Sequence, residues 1–434
     1  MLARPIAELL LAGRDDAQVD LAARFLVVFA PQVVLYGIGI VLAGVLQAHR
    51  RFAGPAVAPL LSSVLVATAY LVFAGMGGST EIATLSRPAE LVLGVGTTLG
   101  VVVLSLSLLV PMRGLRLNLR PALRFPVGVA PRVRRLALAG VLTLAGQQAV
   151  AAVAIRLAND GPDGSQVVYF AGMTLFLLPW AALAVPLATS AYPGLAERAE
   201  TGDEAGYRRA LAPAAVLVVA TAAVAAGVLV AVSGPMARVF LLHANAATVA
   251  ALRDTIIAFA PGLVGYALVA LLTRALYARG LWKAPTVAVV GGWLLAVVAD
   301  IVLARALPPE HRALALGAGH SIGVTVAGLG LLAVVVRVAG PDAVRGVTRS
   351  GAAAIVGGAL GAAAGLLGAR ALGADPVPRT GVLVAVAVGV VAATVALVVA
   401  AAVMMGTARA PLTGAVHALR RPDEQRAGTT GGAR

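Results

Sequence analysis

Along this chain apolar residues do not alternate with polar ones. They run on for twenty or more positions and are then cut by short clusters of Pro, Gly, Arg and acidic residues. Eleven such runs can be drawn: 21–46, 55–76, 90–112, 134–158, 166–192, 210–233, 252–278, 284–304, 314–337, 351–373 and 380–406. About 20 mainly apolar residues make a helix long enough to cross a bilayer. A membrane barrel would instead show segments of roughly ten alternating residues with aromatic girdles, whereas these runs are rich in Ala, Val and Leu and aromatics make up 4% of the chain. The expected fold class is all-α, a polytopic transmembrane helical bundle of about eleven complete spans.

Residues 1–13 (MLARPIAELLLAG) add a partial N-terminal helix. At ~1.5 Å per residue they reach only about 20 Å, short of a ~30 Å hydrocarbon core. The chain is therefore expected to open inside a membrane helix, with 1–20 as its remnant and an outer loop.

The interruptions carry their own signals. Segment 193–209 (PGLAERAETGDEAGYRR) mixes charges and reads as a solvated connector or a short interfacial helix, and 234–251 is amphipathic enough to lie in the interface. Pro31, Pro179 and Pro186 fall inside apolar runs and are expected to kink them. Gly357, Gly361 and Gly365 form a small-residue ridge suited to close packing, with a neighbour in the same chain as its favoured partner.

Composition agrees: 60% of residues are hydrophobic, 12% are charged and the mean hydropathy is +0.94, which places the chain in a bilayer. A net charge of +15 would point to nucleic acid in a soluble protein. Here 23 of the 34 Lys and Arg residues fall on one side of the membrane if residue 21 begins outside. That asymmetry is the positive-inside pattern. It makes the basic face cytoplasmic, gives it anionic lipids as partners and removes the reason to expect nucleic acid. Loop 113–135 alone carries seven arginines and no acid. The protein is expected to be a multi-pass protein of the cell inner (plasma) membrane with a cytoplasmic C-terminus.

Catalytic chemistry has no foothold. The chain has no cysteine, and His49, His243, His311, His320 and His417 lack zinc-ligand spacing. No H-E-x-x-H, P-loop or G-x-S-x-G occurs. Gly94, Gly96 and Gly100 have the wrong spacing for a dinucleotide loop and suit helix packing. No enzyme activity, cofactor or metal is expected. Attention turns to polar groups inside the apolar runs, because such groups face a cavity or one another. Gln147 and Gln148 could line a cavity or bond between helices. Asp300 could snorkel to the interface or couple an ion, and His320 could act as a structural donor or titrate. Arg24 and Arg156 could reach outer headgroups or grip a phosphate bidentately.

Residues 30–61 (APQVVLYGIGIVLAGVLQAHRRFAGPAVAPLL) resemble the MurJ/MviN family, through Pro31, Gly44, Leu46, Ala48, Arg51, Phe52, Pro55, Ala56, Ala58 and Pro59. Arg50 and Arg51 are expected to hold a tight cytoplasmic turn, with Pro55 opening the next helix. Three later stretches resemble the family in the same order. They are Gly146-Gln147-Gln148, the segment 169–196 through Leu175, Phe176, Leu178, Pro179, Val185, Leu187, Thr189, Pro193 and Leu195, and 277–286 through Tyr277, Lys283, Pro285 and Thr286. Departures accompany these matches. The family's cavity arginine on 166–192 would fall near Met173 or Thr174, its asparagine pair appears as Ser62 and Ser63, and its aspartate before the Lys-Thr-Pro turn appears as Leu281.

The resemblance implies a two-lobed alternating-access exporter fold, with residue 21 opening the family's fourth helix. It divides the chain into an incomplete N-lobe (21–112), a basic cytoplasmic linker (113–133), a C-lobe (134–337), two C-terminal spans (351–406) and a basic tail (407–434). The implied function is a flippase for undecaprenyl-pyrophosphate-linked peptidoglycan precursor, lipid II, with Gln147, Gln148, Arg24 and Arg156 as substrate-cavity candidates and Asp300 as the ion-coupling candidate. Two other readings share these residues: a non-transporting membrane scaffold that holds cell-wall synthesis proteins, and an exporter of another polyprenyl-linked glycan.

Overall fold

The computed structural model describes residues 2–11, 13, 15–49, 51, 53–76, 84–113, 115, 129–372 and 381–420. Among these, ten helices are long and apolar enough to cross a membrane, and a bent helix pair supplies an eleventh. The chain divides into two compact units, Met1–Phe125 and Pro126–Arg434.

The smaller unit holds α1 (Ala3–Leu10), α2 (Asp16–Ala48), α3 (Ala53–Gly75), α4 (Arg87–Leu106) and the short α5 (Leu109–Met112). Its helices meet where side chains are small: Gly39 lies against Ser105, Gly96 against Ala69 and Gly100 against Val66. In hydrocarbon there is no hydrophobic drive between helices, so close backbone approach supplies the attraction. The buried cluster here is small, Leu42, Leu46, Ala58, Leu108 and Met112. Helix α2 runs through Pro31 without a break. Helix α3 begins at Ala53 rather than at Pro55. Pro55 still sits in the first turn, where its missing N–H costs no helix bond.

The larger unit contains α6 (Val129–Ala158), α7 (Ser165–Pro179), α8 (Val185–Glu200), α9 (Glu204–Ala231), α10 (Ser233–Phe240), α11 (Ala246–Phe259), α12 (Gly262–Ala278), α13 (Lys283–Ala306), α14 (Arg312–Ala339), α15 (Val347–Ala371) and α16 (Val382–Arg420). Helix α9 is central and packs on α8, α12, α15 and α16, while α13 and α14 pair along their lengths and α6 lies on α13. Tyr169, Phe176, Tyr207 and Phe259 are among the largest fully buried side chains. The Gly357 ridge meets α16 of the same chain: Gly361 faces the Ala396 carbonyl and Gly365 the Ala392 carbonyl.

Two sequence expectations change here and a third gains detail. The run 166–192 lies within one continuous helical span, Ser165–Glu200, that carries a π-turn at Trp180–Ala184 between α7 and α8. The π-turn lies between Pro179 and Pro186, two positions that cannot donate to the helix ladder. Segment 193–209 is not a loop, since only Thr201, Gly202 and Asp203 leave the helices. Gly202 takes φ +72° there, and Asp203 caps α9 by accepting from the Gly206 N–H at 2.8 Å. The run 252–278 is bent by 46° between α11 and α12, at Pro261, which removes a ladder bond. The amphipathic segment 234–251 divides into α10 and the capped start of α11, where Asn245 accepts from the Thr248 N–H at 2.9 Å.

Candidate functional site

Helix α6 presents its two sides very differently. One packs on α13, with Gly146 close to the Trp293 ring. On the other, Arg134, Leu138, Val141, Ala145 and Gln148 are all exposed, and their spacing of alternately four and three residues puts them on one face. Gln147 and Gln148 are both exposed, so the adjacent pair is not split between a buried and an open side. Neither has a hydrogen-bond partner among the described residues. At the far end of α6, Arg156 Nη1 lies 2.8 Å from Asp160 Oδ1, one turn on.

Arg24, in the smaller unit, is also paired. Its Nε donates to Glu90 Oε1 at 2.8 Å and its Nη2 to Oε2 at 3.2 Å. Arg87 adds a donor at 3.0 Å, and the Glu90 side chain is only 11% exposed. Each of the two arginine candidates therefore already has a carboxylate. The sequence reading missed both acids as partners, although Asp160 stands four residues after Arg156 and could have been found by helix spacing. Glu90 could not, because its pairing depends on α2 and α4 lying side by side.

The turn motifs are structural anchors. Arg51 Nη1 donates to the Pro111 carbonyl at 2.7 Å, and Pro59 lies inside α3. Phe52 lies outside the described residues. Pro285 is buried in the first turn of α13, and Lys283 Nζ stands 5.6 Å from the Trp282 ring centroid. A further anchor escaped notice: Arg279 makes two 2.8 Å bonds to Glu204 and lies over the Tyr207 ring at 4.9 Å. The hydrogen bond to Glu204 raises the Arg279 guanidinium above its ordinary value.

For Asp300 the structure removes the interfacial reading, and for His320 that of a donor bonded to a described residue. Asp300 is fully buried rather than interfacial, and neither of its carboxyl oxygens has a partner among the described residues. It lies against Gly319 of α14, where no methyl would fit, so the close α13–α14 pairing pins it and it cannot snorkel. His320 is 2% exposed and both ring nitrogens lack a partner among the described residues, so it is not a structural donor to them. Its ring is surrounded by those of Phe176, Phe259, Trp293 and Tyr266 at 5.4–6.3 Å. Aromatic rings fill the space an acceptor would need.

Two cavities of the larger unit adjoin these elements. An apolar groove of about 510 Å³ runs beside the π-turn, between Leu178, Leu183, Val228 and Leu397. A basic pocket of about 650 Å³ lies between Arg134, Arg135, Leu138, Trp282 and Lys283. Among the described residues no group of three or more His, Cys, Asp or Glu is placed to hold a metal.

Exposed polar residues on α6 and a basic pocket at the start of α13 thus lie within a bundle of helices long and apolar enough to cross a membrane. Residues 1–372 match the family Lipid II flippase MurJ. The chain belongs to the lipid II flippase MurJ family. Its fold is that of a solved structure described as "Lipid II flippase MurJ, inward closed conformation", with TM-score 0.65 and 17% identity over 93% of this chain and 80% of that one. It is also similar to an inward-facing multidrug resistance MATE family transporter of the MOP superfamily, with TM-score 0.62 and 14% identity over 78% of this chain and 76% of that one. The MurJ/MATE-like fold and the family match make this a multi-pass membrane flippase for lipid II, a transporter in peptidoglycan synthesis.

Proposed function

We infer that this MurJ family chain moves lipid II from the inner to the outer leaflet of the plasma membrane by alternating access. The family match over residues 1–372 carries the reading. The parts that move are the N-lobe 21–112 and the C-lobe 134–337, joined by the linker 113–133 and followed by the spans 351–406. The test is reconstitution: the purified chain in liposomes should transfer fluorescent lipid II to the opposite leaflet. Transfer of another polyprenyl-linked glycan, with lipid II left in place, would replace the substrate. Movement of neither would favour the scaffold reading, with cell-wall synthesis proteins held at its cytoplasmic loops.

Gln147 and Gln148 are the substrate-cavity residues we favour, because their exposed amides have no bond to give up. Replacing both by Leu is expected to lower the initial transfer rate about tenfold or more, since a hydrogen bond to a charged group contributes roughly 1.5–3 kcal/mol. An unchanged rate at equal membrane abundance would remove them from the cavity. Arg24 and Arg156 enter this scheme as cations that exchange Glu90 and Asp160 for phosphate late in passage. Asp300 is the ion-coupling group, supported by its burial without a partner.

The arginine asymmetry supports an orientation with the basic face inside. Reporter fusions at Arg120, Glu204, Arg345 and Arg426 are expected to be cytoplasmic, where the basic face meets anionic lipids, and those at Glu81, Pro162, Pro309 and Pro376 external. An external reporter at Arg120 would invert the assignment, because that loop carries the densest positive charge in the chain.

A further inference from the structure

Several cations among the described residues are answered by a carboxylate: Arg24 by Glu90, Arg156 by Asp160, Arg279 by Glu204 and Arg345 by Asp342. The pocket between the N-terminal ends of α6 and α13 gathers three cations that have no such partner among the described residues. Arg134, Arg135 and Lys283 line it together with Leu138 and Trp282, and no acid is among the lining residues. Neither Arg134 nor Arg135 has a partner among the described residues. Lys283 has the indole of Trp282 as its neighbour. Helix α13 opens on this pocket with no acid in its first turn and no side-chain cap, so its unpaired amides add partial positive charge.

We propose that this pocket docks the diphosphate of a prenyl-linked glycan as it enters from the cytoplasmic side, with Arg134 and Arg135 gripping the phosphates, Lys283 adding a point charge and Trp282 positioning Lys283. The proposal rests on the flippase reading and gives it an entry site. Three like charges around one cavity of about 650 Å³ repel one another, and an anion between them converts that repulsion into attraction. A singly charged phospholipid head leaves most of the charge unanswered, whereas a diphosphate diester, with two charges, answers most of it. Guanidinium groups pair phosphate oxygens two at a time. The pocket also shares a helix face with one of the favoured cavity residues. Arg134 and Leu138 stand on the same exposed face of α6 as Gln148, which lies about 21 Å further along at ~1.5 Å per residue. A headgroup released from the pocket has a marked path towards that amide.

The experiment uses the full chain in nanodiscs of phosphatidylcholine, with farnesyl diphosphate, farnesyl monophosphate and phosphatidylglycerol as probes and calorimetric titration as the readout. Wild type is expected to favour the diphosphate over both other probes by about tenfold. The variant R134Q/R135Q/K283Q should lose about tenfold or more in diphosphate affinity, whereas R134K/R135K/K283R keeps most of it. R208Q/R209Q/R345Q, which neutralises a different basic cleft of the same unit, should bind as wild type does. Undiminished binding by R134Q/R135Q/K283Q overturns the proposal. So does an equal loss in R208Q/R209Q/R345Q, which would mean bulk electrostatics, or equal affinity for phosphatidylglycerol, which would mean an ordinary lipid-head contact. Thermal melts accompany each titration. If the neutralised variant does not fold, Lys283→Gln alone carries the test, with about a threefold loss expected for one exposed charge and no loss overturning the pocket. Lipid II transfer by wild type separates this result from the function. Transfer with undiminished probe binding by the neutralised variant sinks the pocket and leaves the flippase, and selective binding without transfer does the reverse.

Discussion

Gly292→Leu is expected to abolish folding of the larger unit, while Gly291→Leu, one residue earlier, leaves it intact. The two glycines share α13 and differ in what surrounds them. A Cβ at Gly292 would stand 2.5 Å from the Ala327 Cβ and 2.7 Å from the Gly323 carbonyl oxygen, whereas one at Gly291 meets nothing within 4 Å. Even one added methylene in a well-packed site typically costs about 1–3 kcal/mol, and here part of the obstruction is backbone, which has no rotamer to change. Helix α14 cannot retreat, because on another side Gly265 and Gly328 bring it equally close to α12. Against a total stability of roughly 5–15 kcal/mol, several such clashes leave no folded state. The check is detergent-solubilised yield, elution as one symmetric species and a cooperative melt. A Gly292→Leu protein that melts as wild type would mean that α13 and α14 do not pack backbone to backbone, and the account of Asp300 would fail with it.

That pairing explains which parts of the molecule could be read from its sequence. Unbroken apolar runs locate the spans because each helix must satisfy its own backbone in lipid, and the Gly357 ridge announced a close contact that is found with α16. Breaks inside an apolar run are harder to see. Pro179 and Pro186 marked the place of the π-turn at Trp180–Ala184 but not its form, and the 46° bend at Pro261 lies within a run that reads as one span. Depth is harder still. Asp300 stands near the end of its apolar run and reads as interfacial, yet α13 continues to Ala306 and the flanking α14 starts only at Arg312, which donates back to the Ala304 carbonyl. The acid is thereby enclosed by a neighbour whose position no local pattern states. The same holds for Arg24 and Glu90, sixty-six residues apart along the chain and bonded only because α2 and α4 are adjacent. Gln147 and Gln148 stood out for the opposite reason. They are polar residues in an apolar run, and their exposure on α6 is local to that helix.

Asp300→Asn should separate stability from transport, raising the unfolding temperature and slowing lipid II transfer in the same protein. Both effects follow from one carboxyl group that is fully buried and has no partner among the described residues. The amide occupies the same volume between α13 and α14 and adds no clash with Gly319, but it carries no charge to desolvate. A buried carboxyl without a partner rests neutral, and ionising it for coupling costs more than burying a neutral amide, so under conditions where Asp300 ionises the Asn variant avoids that cost and melts higher. Groups that destabilise a fold persist where function requires them. As the proposed ion-coupling residue, Asp300 is the acid whose neutralisation should slow transfer without moving the substrate's own contacts. Transfer rates in liposomes and melting curves on the same preparations decide the matter. An Asn variant that melts lower and transports at the wild-type rate would show that the carboxylate is held by a structural partner, and the coupling role would pass from Asp300.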